Sequence, residues 1–77
     1  MGKAVKIYVV DNDGNTLSGQ KVKEYGGSEQ KTDTNGCASL LLNGTNTTIY
    51  VNGFEAYDGS VSRLSAREIF TKSGGRP

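Results

Sequence analysis

The chain has 77 residues, of which 34% are hydrophobic and 22% charged, and its formal net charge at pH 7 is +1. This length allows one domain, and a domain this short has marginal stability unless association adds buried area. The small net charge gives no field strong enough to indicate nucleic acid or an anionic membrane as a partner. With no histidine and with Cys37 as its single cysteine, the chain is expected to form neither an internal disulfide nor a closed zinc site.

Short apolar stretches separated by turn residues predict an all-β chain, a small antiparallel β-sandwich of six or seven strands. Residues 4–10 alternate, with Val5, Ile7 and Val9 on one face, which is typical of a half-buried strand. Further strands are predicted at residues 20–25, 28–32, 37–42, 47–51 and 60–64. The inward-facing residues expected to form the core are Val5, Ile7, Val9, Leu17, Val22, Ala38, Leu40, Leu42, Ile49, Val51, Phe54 and Val61.

Turn residues mark the breaks between these strands. Asp and Asn side chains with a following Gly predict a reversal at residues 11–15. Asn35-Gly36 is the strongest short hairpin signal in the chain, and Asn52-Gly53 predicts another turn.

The C-terminal segment carries two competing signals. Ser65-Ala66-Arg67-Glu68 matches a capping box, so residues 66–71 form either a short helix or an extension of a strand. Residues 1–72 are interpreted as one domain, and residues 73–77 are expected to form a flexible tail.

Three segments resemble the carboxypeptidase regulatory-like domain, whose pattern bacterial Ig-like domains largely share. They are VVDNDGNTLSGQKV at residues 9–22, KTDTNGCASL at 31–40 and YVNGFE at 50–55. Thr16 and Gln20 stand where the family pattern has proline and alanine. The resemblance implies a transthyretin-like sandwich of seven strands that serves as a folding, adhesion or spacer module.

The residue inventory argues against catalysis. The transthyretin-like architecture that the resemblance implies also hosts hydrolases, which depend on histidines with an arginine, and this chain has no histidine. Nucleophilic arrangements that need a histidine base are excluded for the same reason. We therefore expect no enzyme activity and no cofactor.

Asp11, Asp13 and Asp33 are the weak metal candidates, because loop carboxylates can supply oxygen ligands to calcium. The competing interpretation is that these aspartates close turns by accepting backbone hydrogen bonds, and no metal site is predicted.

Four side chains are predicted to face away from the core as an aromatic and apolar interface: Tyr8, Val10, Leu41 and Tyr50. Cross-strand pairing that stabilises a sheet is the competing interpretation. The predicted function is a non-catalytic interaction or structural module that can self-associate, with a protein partner or a second copy and neither nucleic acid nor membrane.

The alternative function is small-ligand or carbohydrate binding at loop ends, through Asn12, Asp13, Asn35, Asn43 and Asn46. Residues 1–10 lack the apolar run of a secretory signal. As written, the chain is expected in the cytoplasm, and a piece of a longer secreted protein would be extracytoplasmic.

Overall fold

The computed structural model describes residues 2–76, which form seven strands and one 3-10 helix. The 3-10 helix, η1, spans Val61–Arg63. The strands are β1 (Lys3–Val10), β2 (Lys21–Glu24), β3 (Gln30–Lys31), β4 (Cys37–Leu42), β5 (Asn46–Val51), β6 (Phe54–Ser60) and β7 (Arg67–Thr71).

These strands form two sheets, one of three strands in the order β4-β1-β7 and one of four in the order β3-β2-β5-β6. All neighbours are antiparallel except β1 and β7, which run parallel. The all-β prediction is confirmed, whereas the expectation of purely antiparallel pairing is wrong for β1 and β7. After β6 the chain leaves the four-stranded sheet through η1 and enters the other sheet beside β1 in the same direction.

One hydrophobic core is shared by the two sheets, and Val5, Ile7 and Val9 of β1 are completely buried within it. Two residues predicted for the core lie elsewhere: Leu17 is half-buried and Phe54 is 56% exposed. Leu17 lies in the connection between β1 and β2, and Phe54 begins β6 at the edge of its sheet. Other residues fill the core: Val22, Ala38, Leu40, Leu42, Ile49, Val51, Val61, Leu64 and Phe70.

The C-terminal segment forms strand β7, so the helical alternative for residues 66–71 is wrong. The hydrogen bonds of the capping box are nevertheless present: the Ser65 N–H donates to a carboxylate oxygen of Glu68 (2.7 Å), as does the Ser65 hydroxyl (3.0 Å). Phe70 is buried and Ile69 is exposed, which is the period of a strand. Pairing with β1 therefore outweighs the local helix signal. The strand predicted at residues 60–64 is also wrong, because η1 occupies most of it.

The two Asn-Gly sequences make different connections. Asn52-Gly53 joins paired strands β5 and β6, and both residues have positive φ (52° and 85°), as a two-residue hairpin of type I′ requires. Asn35-Gly36 joins β3 to β4, which belong to different sheets. The hairpin prediction at Asn35-Gly36 is therefore wrong, although a turn does occur there.

Three loops share one backbone geometry, at residues 11–15, 33–37 and 71–75. In each, the N–H of the first residue donates to the C=O of the fifth, at 2.9, 2.9 and 2.7 Å. The fourth residue is always glycine, and its N–H donates to the C=O of the first, at 3.1, 2.9 and 2.9 Å. All three loops lie at one end of the three-stranded sheet, because two follow the parallel strands β1 and β7 and the third precedes the antiparallel strand β4.

Residues 73–76, expected as part of a flexible tail, make specific contacts. The Thr71 N–H donates to the C=O of Gly75, which turns the chain back after β7. The Arg76 guanidinium binds a Glu68 carboxylate oxygen at 2.5 Å and lies 4.7 Å from the centre of the Phe70 ring. Pro77 lies outside the described residues.

Candidate contact surface

The three-stranded sheet turns one face away from the core, and its side chains lie in register across the strands. Tyr8 of β1 pairs with Cys37 on one side and Ile69 on the other. Leu41 and Ile69, which lie beside Ala4 and Tyr8 of β1, are 64% and 46% exposed. We call this surface the outer face, and it comprises Ala4, Lys6, Tyr8, Cys37, Ser39, Leu41, Arg67 and Ile69.

Charge on the outer face has one sign. Lys6 pairs with Ser39 on β4 and with Arg67 on β7, so two cations are neighbours near the middle of the sheet. The face carries no carboxylate among the residues that define it. A shallow hollow of about 300 Å³ lies between these cations and the small residues Ala4, Ser39 and Ala66.

The free edge of the three-stranded sheet at β4 carries unpaired backbone groups. The Val9 N–H donates to the Gly36 C=O at 3.0 Å. This bond determines which residues of β4 turn their backbone groups toward β1. Because bonding alternates along an antiparallel strand, Ala38 and Leu40 bond to β1, and the N–H and C=O groups of Ser39 and Leu41 point to the free edge.

Cys37 also points its backbone groups outward, but Asp33 satisfies both of them. The Asp33 N–H donates to the Cys37 C=O at 2.9 Å, and the Cys37 N–H donates to Asp33 Oδ1 at 3.1 Å. Ser39 and Leu41 are therefore the two residues of β4 that offer backbone groups to another strand. A groove of about 210 Å³ runs beside them, with Glu24, Gly27, Ser28 and Gln30 on its opposite side.

The predicted interface is only partly assembled. Tyr8 and Leu41 lie on the outer face, but Tyr50 lies on the four-stranded sheet, between Lys23 and Glu55. Val10 is 4% exposed, because the following loop folds back and pairs Thr16 with it. One patch formed by these four residues would need Tyr8 and Tyr50 on neighbouring strands, but β1 and β5 belong to different sheets, so the four residues do not form one patch.

The aspartates act as turn-closing groups. Asp11 Oδ1 accepts the N–H groups of Asp13 and Asn15, both at 2.9 Å, and the bond from Asn15 is the main reason that the pKa of Asp11 lies below its usual value. Asp33 Oδ1 accepts the Asn35 N–H in the same way, at 2.8 Å. Within residues 2–76, no group of three or more His, Cys, Asp or Glu side chains is arranged to hold a metal ion.

The residues of the loop-end ligand alternative do not meet. Asn35 precedes β4 and Asn43 follows it, so the six residues of that strand separate them. At about 3.3 Å per residue, this separation is roughly 20 Å. Asn12 and Asp13 share the end of Asn35, whereas Asn46 begins β5 after the loop that contains Asn43. A single site composed of all five residues is excluded.

Two features were not found from the sequence. Asn52 connects three segments: its Oδ1 accepts the Lys21 N–H at 3.0 Å, and its Nδ2 donates to the Lys72 C=O and to Gln20 Oε1, both at 2.9 Å. The other feature is an open hollow of about 530 Å³ on the four-stranded sheet. It is lined by Lys23, Tyr25, Gly26, Tyr50 and Gly53.

No family model, curated protein or solved structure matches this chain. Within residues 2–76, no helix has the length and apolar character needed to cross a membrane. The surfaces that bear on function are therefore the outer face, the β4 edge and the open hollow on the four-stranded sheet.

Proposed function

We propose that this chain is a non-catalytic contact module with an Ig-like β-sandwich fold, and that it self-associates through its three-stranded sheet. The observation that carries the proposal is the uncharged free edge of β4, beside an outer face on which Leu41 and Ile69 are exposed. Exposed apolar surface next to unpaired strand groups is typical of contact sites.

The proposed fold type is supported by the two sheets that share one core and by the turn positions. The carboxypeptidase regulatory-like pattern places turns at its Asp-x-x-Gly segments and before its Gly-Phe-Glu segment. In this chain, turns lie at residues 11–15 and 33–37 and at Asn52-Gly53. The turn positions support the resemblance, although Leu17 and Phe54 of the same segments lie outside the core.

Association also suits the size of the chain. An interface at the small end of the standard range buries about 600 Å² on each partner. That is roughly one eighth of the 4736 Å² that this chain exposes. Apolar surface contributes about 25 cal/mol per Å² when buried, so such an interface would add to the stability of a small core.

The ionisable groups support contact over catalysis. A general base that works near neutral pH is usually a histidine, or a carboxylate whose pKa has been raised. The chain has no histidine. Burial raises the pKa of Glu68, but hydrogen bonds from Arg76 and Ser65 outweigh it, so the net pKa lies below the usual value. Asp11 is shifted in the same direction.

Light scattering over a dilution series tests the self-association. We expect twice the monomer mass at high concentration and the monomer mass on dilution. Leu41→Lys should weaken the dimer at least tenfold, because it places a cation beside the edge and the outer face. Tyr25→Lys is the matched control, since Tyr25 is 76% exposed but lies next to the four-stranded sheet.

Either of two results would contradict the proposal. One is a monomer at every concentration up to the millimolar range. The other is a dimer that tolerates Leu41→Lys and dissociates with Tyr25→Lys.

A second candidate function, small-ligand binding, is supported by the open hollow between Lys23, Tyr25 and Tyr50. Its volume of about 530 Å³ falls within the usual range for small-molecule sites, about 300–1,000 Å³. Two phenol rings and one ammonium group suit a sugar or another cyclic ligand that carries oxygen atoms. NMR titration with a panel of monosaccharides should shift the signals of these three residues, and Tyr50→Ala should abolish the shifts. Unchanged spectra across the panel would remove this candidate.

A further inference from the structure

We infer that two copies of this chain pair through β4 in antiparallel orientation, with Leu40 at the twofold axis, so that their three-stranded sheets become one sheet of six strands. This inference rests on the proposed self-association and specifies its geometry. The occupant of the β4 edge is thus the β4 strand of a second copy.

Hydrogen bonding fixes the register of this antiparallel pair. With Leu40 opposite Leu40 of the second copy, Ser39 lies opposite Leu41 of the second copy, and the reverse pair follows by symmetry. Each of these pairs can exchange two N–H···O=C bonds, because the free groups of β4 belong to Ser39 and Leu41. Four new bonds form, and no group that already bonds to β1 is used twice.

Other registers form fewer hydrogen bonds to the free backbone groups of Ser39 and Leu41. A shift in one direction places Leu41 opposite Cys37 of the second copy, whose N–H and C=O are already bound to Asp33. A shift in the other direction places Ser39 opposite Asn43, which lies beyond the end of β4. A shift by one residue brings Ala38 or Leu40 to the bonding position, although their groups bond to β1.

Charge favours edge pairing over stacking of two outer faces. Stacking with the strands of the two copies aligned would bring Lys6 and Arg67 of one copy over those of the other. Edge pairing keeps the two Lys6 residues three strand spacings apart, which is about 14 Å. That separation exceeds the Debye length of about 8 Å at physiological ionic strength. Strand β4 itself, CASLLL, brings no charged residue into the pair.

The remaining edges are less suited to a second copy. Strand β3 has two residues, β6 carries Glu55 and Asp58, and β7 carries Arg67 and Glu68. Short edges and charged edges both oppose strand addition. Beside β4, the groove is lined on its far side by Glu24, Gly27, Ser28 and Gln30, and the two small residues Gly27 and Ser28 leave space for an incoming strand.

Amide hydrogen exchange gives a test with internal controls. The Ser39 and Leu41 amides should exchange rapidly in dilute protein and at least tenfold more slowly at concentrations that give the dimer. The Ala38 and Leu40 amides bond to β1 in both states, so their protection should change much less. A dimer by light scattering with Ser39 and Leu41 amides that remain unprotected would overturn the edge pairing and leave self-association standing.

Substitution at Ser39 tests the same bonds. Ser39→Pro removes the outward N–H without removing a bond to β1, and it should leave a monomer at concentrations where the control Ser39→Ala is dimeric. If Ser39→Pro does not fold, the exchange data on the wild-type chain decide. Dimers that persist in folded Ser39→Pro would contradict the inference.

An isotope-filtered NMR experiment tests the register of the two β4 strands separately. In a mixture of isotope-labelled and unlabelled chains, a filtered NOE should connect the Hα of Leu40 in one copy with the Hα of Leu40 in the other. An intermolecular Hα contact centred on another residue would overturn the assigned register. Absence of any dimer would contradict both this inference and the proposed function.

Discussion

The four-stranded sheet ends in strands that resist the addition of another strand, whereas the three-stranded sheet ends on one side in β4, which does not. Strand β3 is only two residues long, and β6 combines two acidic residues with an irregular pairing opposite Ile49 and Tyr50. Strand β4 has six residues without a charge, a glycine or a proline. The other edges are thus protected against strand addition, and the proposed contact site rests on the absence of that protection at β4.

The largest effect on the unfolding free energy is expected from a substitution in β7, the last strand of the three-stranded sheet. Phe70→Ala should cost about 3–5 kcal/mol of unfolding free energy, because Phe70 is completely buried. Ile69→Ala, one residue earlier on the outer face, should cost less than about 1 kcal/mol. Urea denaturation followed by circular dichroism measures both. Equal costs would contradict the strand assignment of β7.

A smaller effect is expected at Asn52, which ties the four-stranded sheet to the segment after β7. Asn52→Ala should cost about 1–3 kcal/mol, because it leaves the Lys21 N–H without its side-chain acceptor and forces alanine into positive φ. Asn52→Gly relieves the backbone strain and should recover part of the loss. The exposed Asn12→Ala is the control in the same denaturation experiment, and a cost equal to that of Asn52→Ala would refute the connecting role.

The smallest effect concerns charge on β7, the other edge of the three-stranded sheet. The pKa of Glu68 is lower in the folded chain than its usual value, so ionised Glu68 stabilises the fold. This contribution is complete above the unfolded pKa of about 4.3 and is lost as the pH falls through the folded value. Wild type should therefore exceed Glu68→Gln in melting temperature at pH 7, and the difference should shrink toward pH 3. A constant difference would argue against the Glu68–Arg76 pair as its source.

Alternation of side chains predicted the strands that contribute most of the core. Val5, Ile7 and Val9 face inward as expected, and so do Leu40 and Leu42 of β4. Each strand buries one of its two faces against the core, so apolar residues recur at every second position of its sequence. The D-x-[DN]-G pattern at residues 11–14 and 33–36 also contained a usable signal, since the repeated pattern indicates the repeated loop.

The assignment of strands to sheets could not be predicted in this way. Alternation shows that Tyr8 and Tyr50 point away from the core, but it does not tell which sheet carries each strand. Phe70 was missed because the capping-box pattern of Ser65 and Glu68 also occurs where helices begin. The bond between these two residues forms here although a strand follows. Only the pairing of β7 with β1, over 50 residues away in the chain, decides between the two structures.

The parallel pairing of β1 and β7 has a mechanical consequence. The two strands pair over five residues, from Lys6 and Arg67 to Val10 and Thr71, so the ladder lies between Lys3 at the start of β1 and Thr71 at the end of β7. Tension applied at residues 2 and 76 would pull the two strands past one another, so the whole ladder would bear the load together. Single-molecule pulling in this geometry should give a higher rupture force than pulling at residues 26 and 44, which does not act along this ladder. The chain is thus arranged to resist extension at its first and last strands.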